Sequence, residues 1–305
     1  MSTSQPGPVI WGLLVLLGLL WGASFPAVSV ALGGFGPFTI VALRVSLAAV
    51  TLLILAFGLG YGLPGVRSPT ERRIWLHAAG VAIFFNAMPF TLLSWGQKYV
   101  TSGYAGITMA VVPLFVLPLA HFMVPGDTMS RRKVIGFVLG FAGVVVLIGP
   151  DAFTSSGAEV ENLARLACLL ATAGYAIANI ITRLAPPCPQ LSFSAAALSI
   201  ASLIMLPLAL LIEGLPEAPG TAPVLAVIYL GLGPTALATL ILVRIITTVG
   251  STFLVLVNYQ VPIWAALMGV FFLSENLPPQ FIAALGLILL GLAVSQPRRR
   301  RRVSP

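Results

Sequence analysis

Polar and aromatic side chains recur at helical spacing inside runs of sequence that are otherwise apolar. Asn86, Phe90, Ser94 and Gln97 are separated by four, four and three residues, with Trp95 beside them. Because residues three or four apart share one face of an α-helix, these side chains form one polar stripe. Such a stripe in an apolar helix either bonds to neighbouring helices or lines a path for a small polar molecule.

Similar stripes occur in other apolar runs. Their members are Trp21, Ser24 and Phe25; Tyr104 and Thr108; and Cys168, Thr172, Tyr175, Asn179 and Thr182. Asn258, Tyr259 and Gln260 are consecutive, so they cannot all face one direction. Helix packing remains an alternative for each stripe, but several stripes at one depth favour a shared substrate cavity. Its candidate residues are Trp21, Ser24, Asn86, Phe90, Ser94, Trp95, Tyr104, Thr108, Tyr175, Asn179, Asn258 and Tyr259.

Arg44 is the one basic residue well inside an apolar run. An arginine near the centre of a membrane helix costs at least about 2.5–3.5 kcal/mol on insertion scales, so Arg44 requires an internal partner. It could attract the carboxylate of a substrate, or it could bridge backbone carbonyl groups of neighbouring helices. The residues leave both alternatives open.

Five prolines lie near the middle of apolar runs: Pro26, Pro89, Pro113, Pro234 and Pro262. A proline removes a backbone donor and kinks the helix in which it lies. These residues are therefore candidate hinges for gating, although prolines also occur in static membrane helices.

The sequence lacks the motifs of several other functions. It contains no phosphate-binding GxxxxGK[ST], no HExxH and no GxSxG, and its acidic residues lie between the apolar runs. We therefore expect no cofactor, no metal, no ATP-driven pumping and no enzymatic activity. An intramembrane enzyme and a channel remain the alternatives outside carriers.

The composition predicts an all-α membrane protein. The chain of 305 residues is 58% hydrophobic and contains 16 Lys and Arg but only 8 Asp and Glu. Its charges interrupt apolar runs of about 20 residues, the length of a membrane-spanning helix. Ten spans are predicted, at residues 9–32, 36–58, 74–97, 102–124, 132–149, 160–183, 192–212, 221–243, 252–273 and 279–296.

The charges of the connections predict the orientation of these spans. Even-numbered connections and the C-terminus carry the basic residues Arg67, Arg72, Arg73, Arg131, Arg132, Lys133, Arg183, Arg244 and Arg298 to Arg302. Odd-numbered connections carry most of the acidic residues. The positive-inside rule then places both termini in the cytoplasm, with the Arg298 to Arg302 run on membrane lipid and not on nucleic acid.

The second half of the sequence repeats features of the first. Pro113 is followed two residues later by Phe115, as Pro262 is by Trp264, in spans four and nine. An acidic residue precedes each of spans five and ten, and both spans carry spaced glycines. Residues 1–150 and 151–305 are therefore predicted to be two five-helix repeats. Because five is odd, the second repeat enters the membrane inverted, as in many secondary transporters.

At these residues the chain resembles a known family. The ten spans, the sequence from Trp21 to Pro26, the pair Leu43-Arg44 and the two mid-span prolines are similar to the EamA family of the drug/metabolite transporter superfamily. Its YddG-like amino-acid exporters are the most similar branch. The resemblance implies export of amino acids, aromatic ones in particular, or of related metabolites. Together with the repeat and the candidate cavity, we therefore expect a secondary transporter of small neutral metabolites, most of all aromatic or large apolar amino acids. It would work by alternating access in the cell (inner) membrane, as a monomer or homodimer. Export of drugs or nucleobase-like metabolites is the alternative.

Overall fold

The structure is a computed structural model that describes residues 6–125, 129–148, 159–249, 253 and 256–295. Within these residues the regular structure is helical, without a strand. Some of the predicted features lie outside the described residues: the acidic residue before span five (Asp127), the acidic residue Asp151, the run from Arg298 to Arg302, and residues 149, 252, 254, 255 and 296 of predicted spans five, nine and ten.

The described chain forms a series of helices joined by short connections. They are α1 (Pro8–Ala31), α2 (Pro37–Gly58), α3 (Pro69–Gly96), α4 (Ser102–Met123), α5 (Arg131–Ile148), α6 (Glu159–Leu184), α7 (Gln190–Ile212), α8 (Thr221–Val249), α9 (Val257–Leu273) and α10 (Pro279–Ser295). Apart from α5, α9 and α10, these helices are 22 to 29 residues long and apolar enough to cross a membrane, which makes seven such helices in the described residues. At about 1.5 Å per residue, each exceeds the hydrocarbon thickness of about 30 Å.

Three helices are shorter or more charged. α5 has 18 residues and begins with Arg131, Arg132 and Lys133, whereas α9 and α10 have 17 residues each. Seven of the predicted spans are thus confirmed as long apolar helices. That α5, α9 and α10 also cross the membrane stays a prediction.

The helix α3 begins before the apolar span that was predicted from residue 74. It starts at Pro69, which occupies its first turn, and Ser68 caps it. The Ser68 side chain accepts a hydrogen bond from the backbone of Glu71, whose carboxylate accepts one from the backbone of Ser68. This reciprocal pair satisfies amide groups that a helix start leaves without partners, so the first turn is stable outside the apolar run.

Irregular helical turns interrupt three of the helices. α3 contains a π-helical segment at Ala82–Ala87, just before Pro89, and α8 contains one at Leu232–Leu237, which includes Pro234. α4 contains a 3₁₀ turn at Met109–Val111, just before Pro113. Pro26 and Pro262, by contrast, lie within α-helical turns of α1 and α9.

The helices of the two halves pack against each other. α1 packs on α8 and α9, α2 on α7 and α8, α3 on α6 and α7, α4 on α6 and α9, and α5 on α10. Glycines permit the closest approaches: a Cβ atom on Gly22 would collide with Trp264, and one on Gly136 would collide with the backbone of Gly291. The sequence thus uses small residues where membrane helices need close contact.

Candidate substrate-binding site

Arg44 connects α2 to α8 in the interior of the bundle. It is buried, with 6% of its surface exposed. Its Nε donates a 2.8 Å hydrogen bond to Oγ1 of Thr235, which lies 191 residues later in the chain. Thr235 in turn donates a 2.7 Å hydrogen bond to the carbonyl oxygen of Leu230. A short chain of polar groups therefore fixes the guanidinium group between the two halves of the sequence.

Aromatic rings surround the guanidinium group. Its Cζ lies 3.8 Å from the ring centroid of Phe90, so the cation covers one face of that ring. Tyr175 of α6 packs edge-to-face on Phe90 at 6.5 Å and on Phe85 at 5.1 Å between ring centroids. Contact with the electron-rich face of a ring stabilises a buried cation, and this contact orients Arg44 towards α3 and α6.

A further aromatic residue joins the same region from α1. Nε1 of Trp21 donates a 3.2 Å hydrogen bond to the carbonyl oxygen of Pro234, which precedes Thr235 in the π-helical segment of α8. We call Trp21, Arg44, Phe85, Phe90, Tyr175 and Thr235 the arginine cluster. Its members come from α1, α2, α3, α6 and α8, so helices of both halves contribute to one site.

The arginine cluster has a local positive charge without a neighbouring acid in the described structure. The six described acidic residues lie in the first turns of helices or in connections: Glu71, Glu159, Glu161, Glu213, Glu217 and Glu275. The contacts of Arg44 are with a hydroxyl group and a ring face. A buried cation whose described contacts are both uncharged favours an anionic group nearby. A planar guanidinium group suits a carboxylate.

The two π-helical segments each place one polar side chain on a backbone carbonyl group. Nδ2 of Asn86 donates a 3.4 Å hydrogen bond to the carbonyl oxygen of Val81, five residues earlier. Thr235 makes the same local contact, with the carbonyl oxygen of Leu230 five residues earlier. Asn86 is 4% exposed, and its amide forms this hydrogen bond within its own helix.

Several other predicted site residues use their polar groups within their own helix. Ser24 donates to the carbonyl oxygen of Trp21 at 2.6 Å, and Thr108 donates to that of Ala105 at 2.6 Å. Asn179 is exposed and donates to the carbonyl oxygen of Tyr175 at 2.9 Å. These hydrogen bonds stay within one helix each, and two of the three acceptors are backbone carbonyl groups of the cluster members Trp21 and Tyr175.

The remaining predicted residues lie elsewhere in the bundle. The Trp95 ring packs on Tyr99 with centroids 5.4 Å apart, where α3 ends, and the Tyr104 ring packs on Phe281 at the same distance, where α4 begins. Ser94 is buried in α3. Asn258 and Tyr259 are half-buried in the first turn of α9.

Sequence reasoning missed two members of the arginine cluster, Phe85 and Thr235. Thr235 is one of several threonines in an apolar run, but it directly follows Pro234. A hydroxyl group beside a proline is a signal of disturbed backbone hydrogen bonding. Phe85 precedes Asn86, which the regular helical spacing selected instead. A π-helical turn contains about one more residue than an α-helical turn. The residue that faces the interior therefore shifts by about one position.

Comparisons with known proteins identify transporters as relatives. The chain is 27% identical over 301 residues to a probable terminal-alkyne amino-acid exporter of Streptantibioticus cattleyicolor, covering 97% of this chain and 96% of the relative. It is 28% identical over 227 residues to the aromatic amino acid exporter YddG of Ancylobacter novellus, covering 72% and 73%. A crystal structure with 22% identity matches with a TM-score of 0.67 over 94% of this chain and 97% of the other, which shows a common fold.

The family match extends over most of the sequence. Residues 9–149 and residues 162–295 match the EamA-like transporter family. The apolar helices are those of a membrane protein, and the family and the named relatives point to transport and not to an enzyme. The chain therefore belongs to the EamA-like transporter family.

Proposed function

We propose that the protein is a secondary carrier of aromatic or large apolar amino acids in the cell (inner) membrane, acting as an exporter or facilitator. The observation that carries this proposal is the arginine cluster. It combines a buried cation, which suits a carboxylate, with the rings of Trp21, Phe90 and Tyr175, which suit an apolar side chain. A free amino acid with such a side chain presents both groups.

The names of the relatives support the same substrate class. One relative is described as an exporter of a terminal-alkyne amino acid and another as an exporter of aromatic amino acids. An alkyne and an aromatic ring are both apolar groups attached to an amino acid. A cluster that binds the carboxylate by charge and the side chain by apolar contact fits either one.

We further propose that all ten helices span the membrane as two inverted five-helix repeats, with both termini in the cytoplasm. Three observations support this architecture. The family matches each half of the chain, the equivalent helices α3 and α8 both contain a π-helical segment, and the pairing of helices keeps its pattern when the halves are exchanged. In such a repeat the substrate lies between the halves, where the arginine cluster is placed.

Alternating access follows from this arrangement as the proposed mechanism. The arginine cluster is held by helices of both halves, so a relative movement of the halves would open it first to one side and then to the other. The irregular turns beside Pro89 and Pro234 leave fewer regular backbone hydrogen bonds to break, which suits a hinge.

Counterflow in proteoliposomes tests the proposed function. Vesicles loaded with unlabelled L-phenylalanine should take up labelled L-phenylalanine transiently above its equilibrium level, with saturation. A channel would equilibrate the label without this overshoot. If the protein exchanges nucleobases or cationic drugs but neither L-phenylalanine nor L-leucine, the proposed substrate class is wrong.

A further inference from the structure

The charges around Arg44 bear on which groups of a substrate the site can recognise. Arg44 is 6% exposed near the middle of α2, and the guanidinium group stays protonated in proteins. In the part of the chain that the structure describes, every acidic residue lies in a connection or a first helical turn. The interior therefore holds a cation and no described anion to bind a second cation.

The geometry of the guanidinium group leaves donors for a ligand. A guanidinium group has five N–H donors in a fixed fork. The hydrogen bond that the described residues provide uses Nε, and Cζ lies over the Phe90 ring, 3.8 Å from its centroid. The edge formed by the two terminal nitrogens can bind a carboxylate through two parallel hydrogen bonds.

The same geometry disfavours an ammonium group. A ring face can bind an ammonium group, but the cation of Arg44 already occupies the face of Phe90. A second positive charge close to Arg44 would be repelled in an interior of low dielectric constant. The rings of Phe85 and Tyr175, which pack edge-to-face at 5.1 Å, add apolar surface but no negative charge.

We propose that the arginine cluster recognises a carboxylate and an apolar side chain but not an ammonium group. Aromatic carboxylates that lack the amino group therefore bind with an affinity similar to that of the amino acids. This inference rests on the proposed function, because it concerns the same site. Its consequence is a wider substrate class: aromatic monocarboxylates as well as amino acids. Aromatic amines that lack a carboxylate are excluded.

Three compounds that differ in one group each test this inference: L-phenylalanine, 3-phenylpropionate and phenethylamine. Each is added to the purified protein in detergent, and binding is measured as an increase in the thermal unfolding temperature, since a ligand that binds the folded state stabilises it. In parallel, each competes with counterflow of labelled L-phenylalanine. We expect 3-phenylpropionate to bind within about tenfold of L-phenylalanine, and phenethylamine at least about tenfold more weakly, which is the loss for a charged hydrogen bond.

Two results on the unmodified protein would overturn the inference. In the first, phenethylamine binds as well as L-phenylalanine; in the second, 3-phenylpropionate fails to bind while L-phenylalanine binds. If counterflow of L-phenylalanine is absent but 3-phenylpropionate stabilises the protein, the proposed function is wrong and the recognition of a carboxylate is retained. The proposed function and the proposed recognition of a carboxylate can therefore be contradicted independently of each other.

Variants assign the carboxylate contact to Arg44. Arg44→Gln removes the charge and should abolish stabilisation by 3-phenylpropionate, whereas Arg44→Lys keeps a charge without the fork and should weaken it at least about tenfold. Arg244→Gln, at an exposed position near the end of α8, removes one positive charge elsewhere and should bind like the parent. Unchanged selectivity in a folded Arg44→Gln protein would assign Arg44 a purely structural role and overturn the proposal.

Discussion

Glu213 accepts a 2.7 Å hydrogen bond from the hydroxyl group of Thr39, although the two residues lie 174 positions apart in the chain. The same carboxylate accepts hydrogen bonds from the backbone amides of Phe38 and Thr39 in the first turn of α2. Glu275 binds the backbone amides of Ser102 and Gly103 at the start of α4 in the same way. Two acidic connections of the second half therefore cap two helices of the first half.

Glu213→Ala should lower the thermal stability of the purified protein. The change removes an anion from the positive end of the α2 dipole and leaves amide groups of its first turn without this partner. Hydrogen bonds to charged groups contribute about 1.5–3 kcal/mol each, so a clear loss is expected. The control is Glu217→Ala, since Glu217 is exposed in the same connection. If both variants unfold at the parent's temperature, this cap does not stabilise the protein.

Thr235→Val should reduce transport more than Thr235→Ser. Valine has nearly the same shape, but it removes the hydroxyl group that accepts from Arg44 and donates to Leu230. Serine keeps this hydroxyl group. Loss of a buried hydrogen bond costs about 0.5–1.5 kcal/mol, or roughly a two- to tenfold loss of affinity for L-phenylalanine in counterflow. Equal affinities of the two variants would show that the Arg44–Thr235 contact does not position the cation for substrate.

Tyr175→Ala should weaken L-phenylalanine transport, whereas Tyr175→Phe should retain it. The phenylalanine variant keeps the edge-to-face contacts with Phe85 and Phe90, and an aromatic pair contributes about 0.5–1.5 kcal/mol beyond buried area. The apparent affinity in counterflow measures the difference, with expression as a control for folding.

Asn86→Ala is expected to weaken transport as well, through the π-helical segment that Asn86 supports.

Arg44 illustrates what the sequence could and could not predict. A charged residue within an apolar run is visible in the sequence, and so is its need for an internal partner. Its partner Thr235 was not predicted, because that contact depends on how α2 packs against α8, 191 residues away. The apolar runs similarly predicted seven long helices well, since length and composition alone determine which segments can cross a membrane.

The stripe predicted on α3 did not include Phe85. Regular spacing selected Asn86 and Phe90 for one face, but the structure packs Phe85 and Phe90 on Tyr175. The spacing rule assumes α-helical turns throughout, and the π-helical segment at Ala82–Ala87 breaks that assumption. A local change of helix type was not apparent in the residue pattern, so regular spacing could not select Phe85.

Labelling of Cys188 with an impermeant thiol reagent tests the orientation. Cys188 lies in the connection between α6 and α7, which the charge pattern predicts to be cytoplasmic, and Cys168 is buried. We expect labelling in inside-out vesicles and none in intact cells. Burial raises the pKa of the Cys188 thiol, and the thiolate is the reactive form. The labelling rate should therefore keep rising with pH beyond the range in which an exposed thiol levels off.

A second labelling site controls for access. Glu217→Cys in a Cys188→Ser background places a thiol in the exposed connection between α7 and α8, which is predicted to face outside. This variant should react in intact cells. The reverse pattern at the two positions would reverse the orientation. Labelling of both positions from the same side would contradict the number of spans between them.

Transport should not be driven by a proton gradient. A carrier that exchanges protons needs a titratable group at the substrate site, and the arginine cluster contains no acid or histidine. Nδ1 of His77 lies 2.7 Å from the carbonyl oxygen of Arg73 in the first turns of α3, and His121 is exposed in the last turn of α4. In proteoliposomes, an imposed proton gradient should leave L-phenylalanine at its equilibrium level, and the pH dependence should reflect the ionisation of the substrate alone. Proton-driven accumulation that disappears in His77→Ala or His121→Ala would contradict this prediction and identify that histidine as the relay.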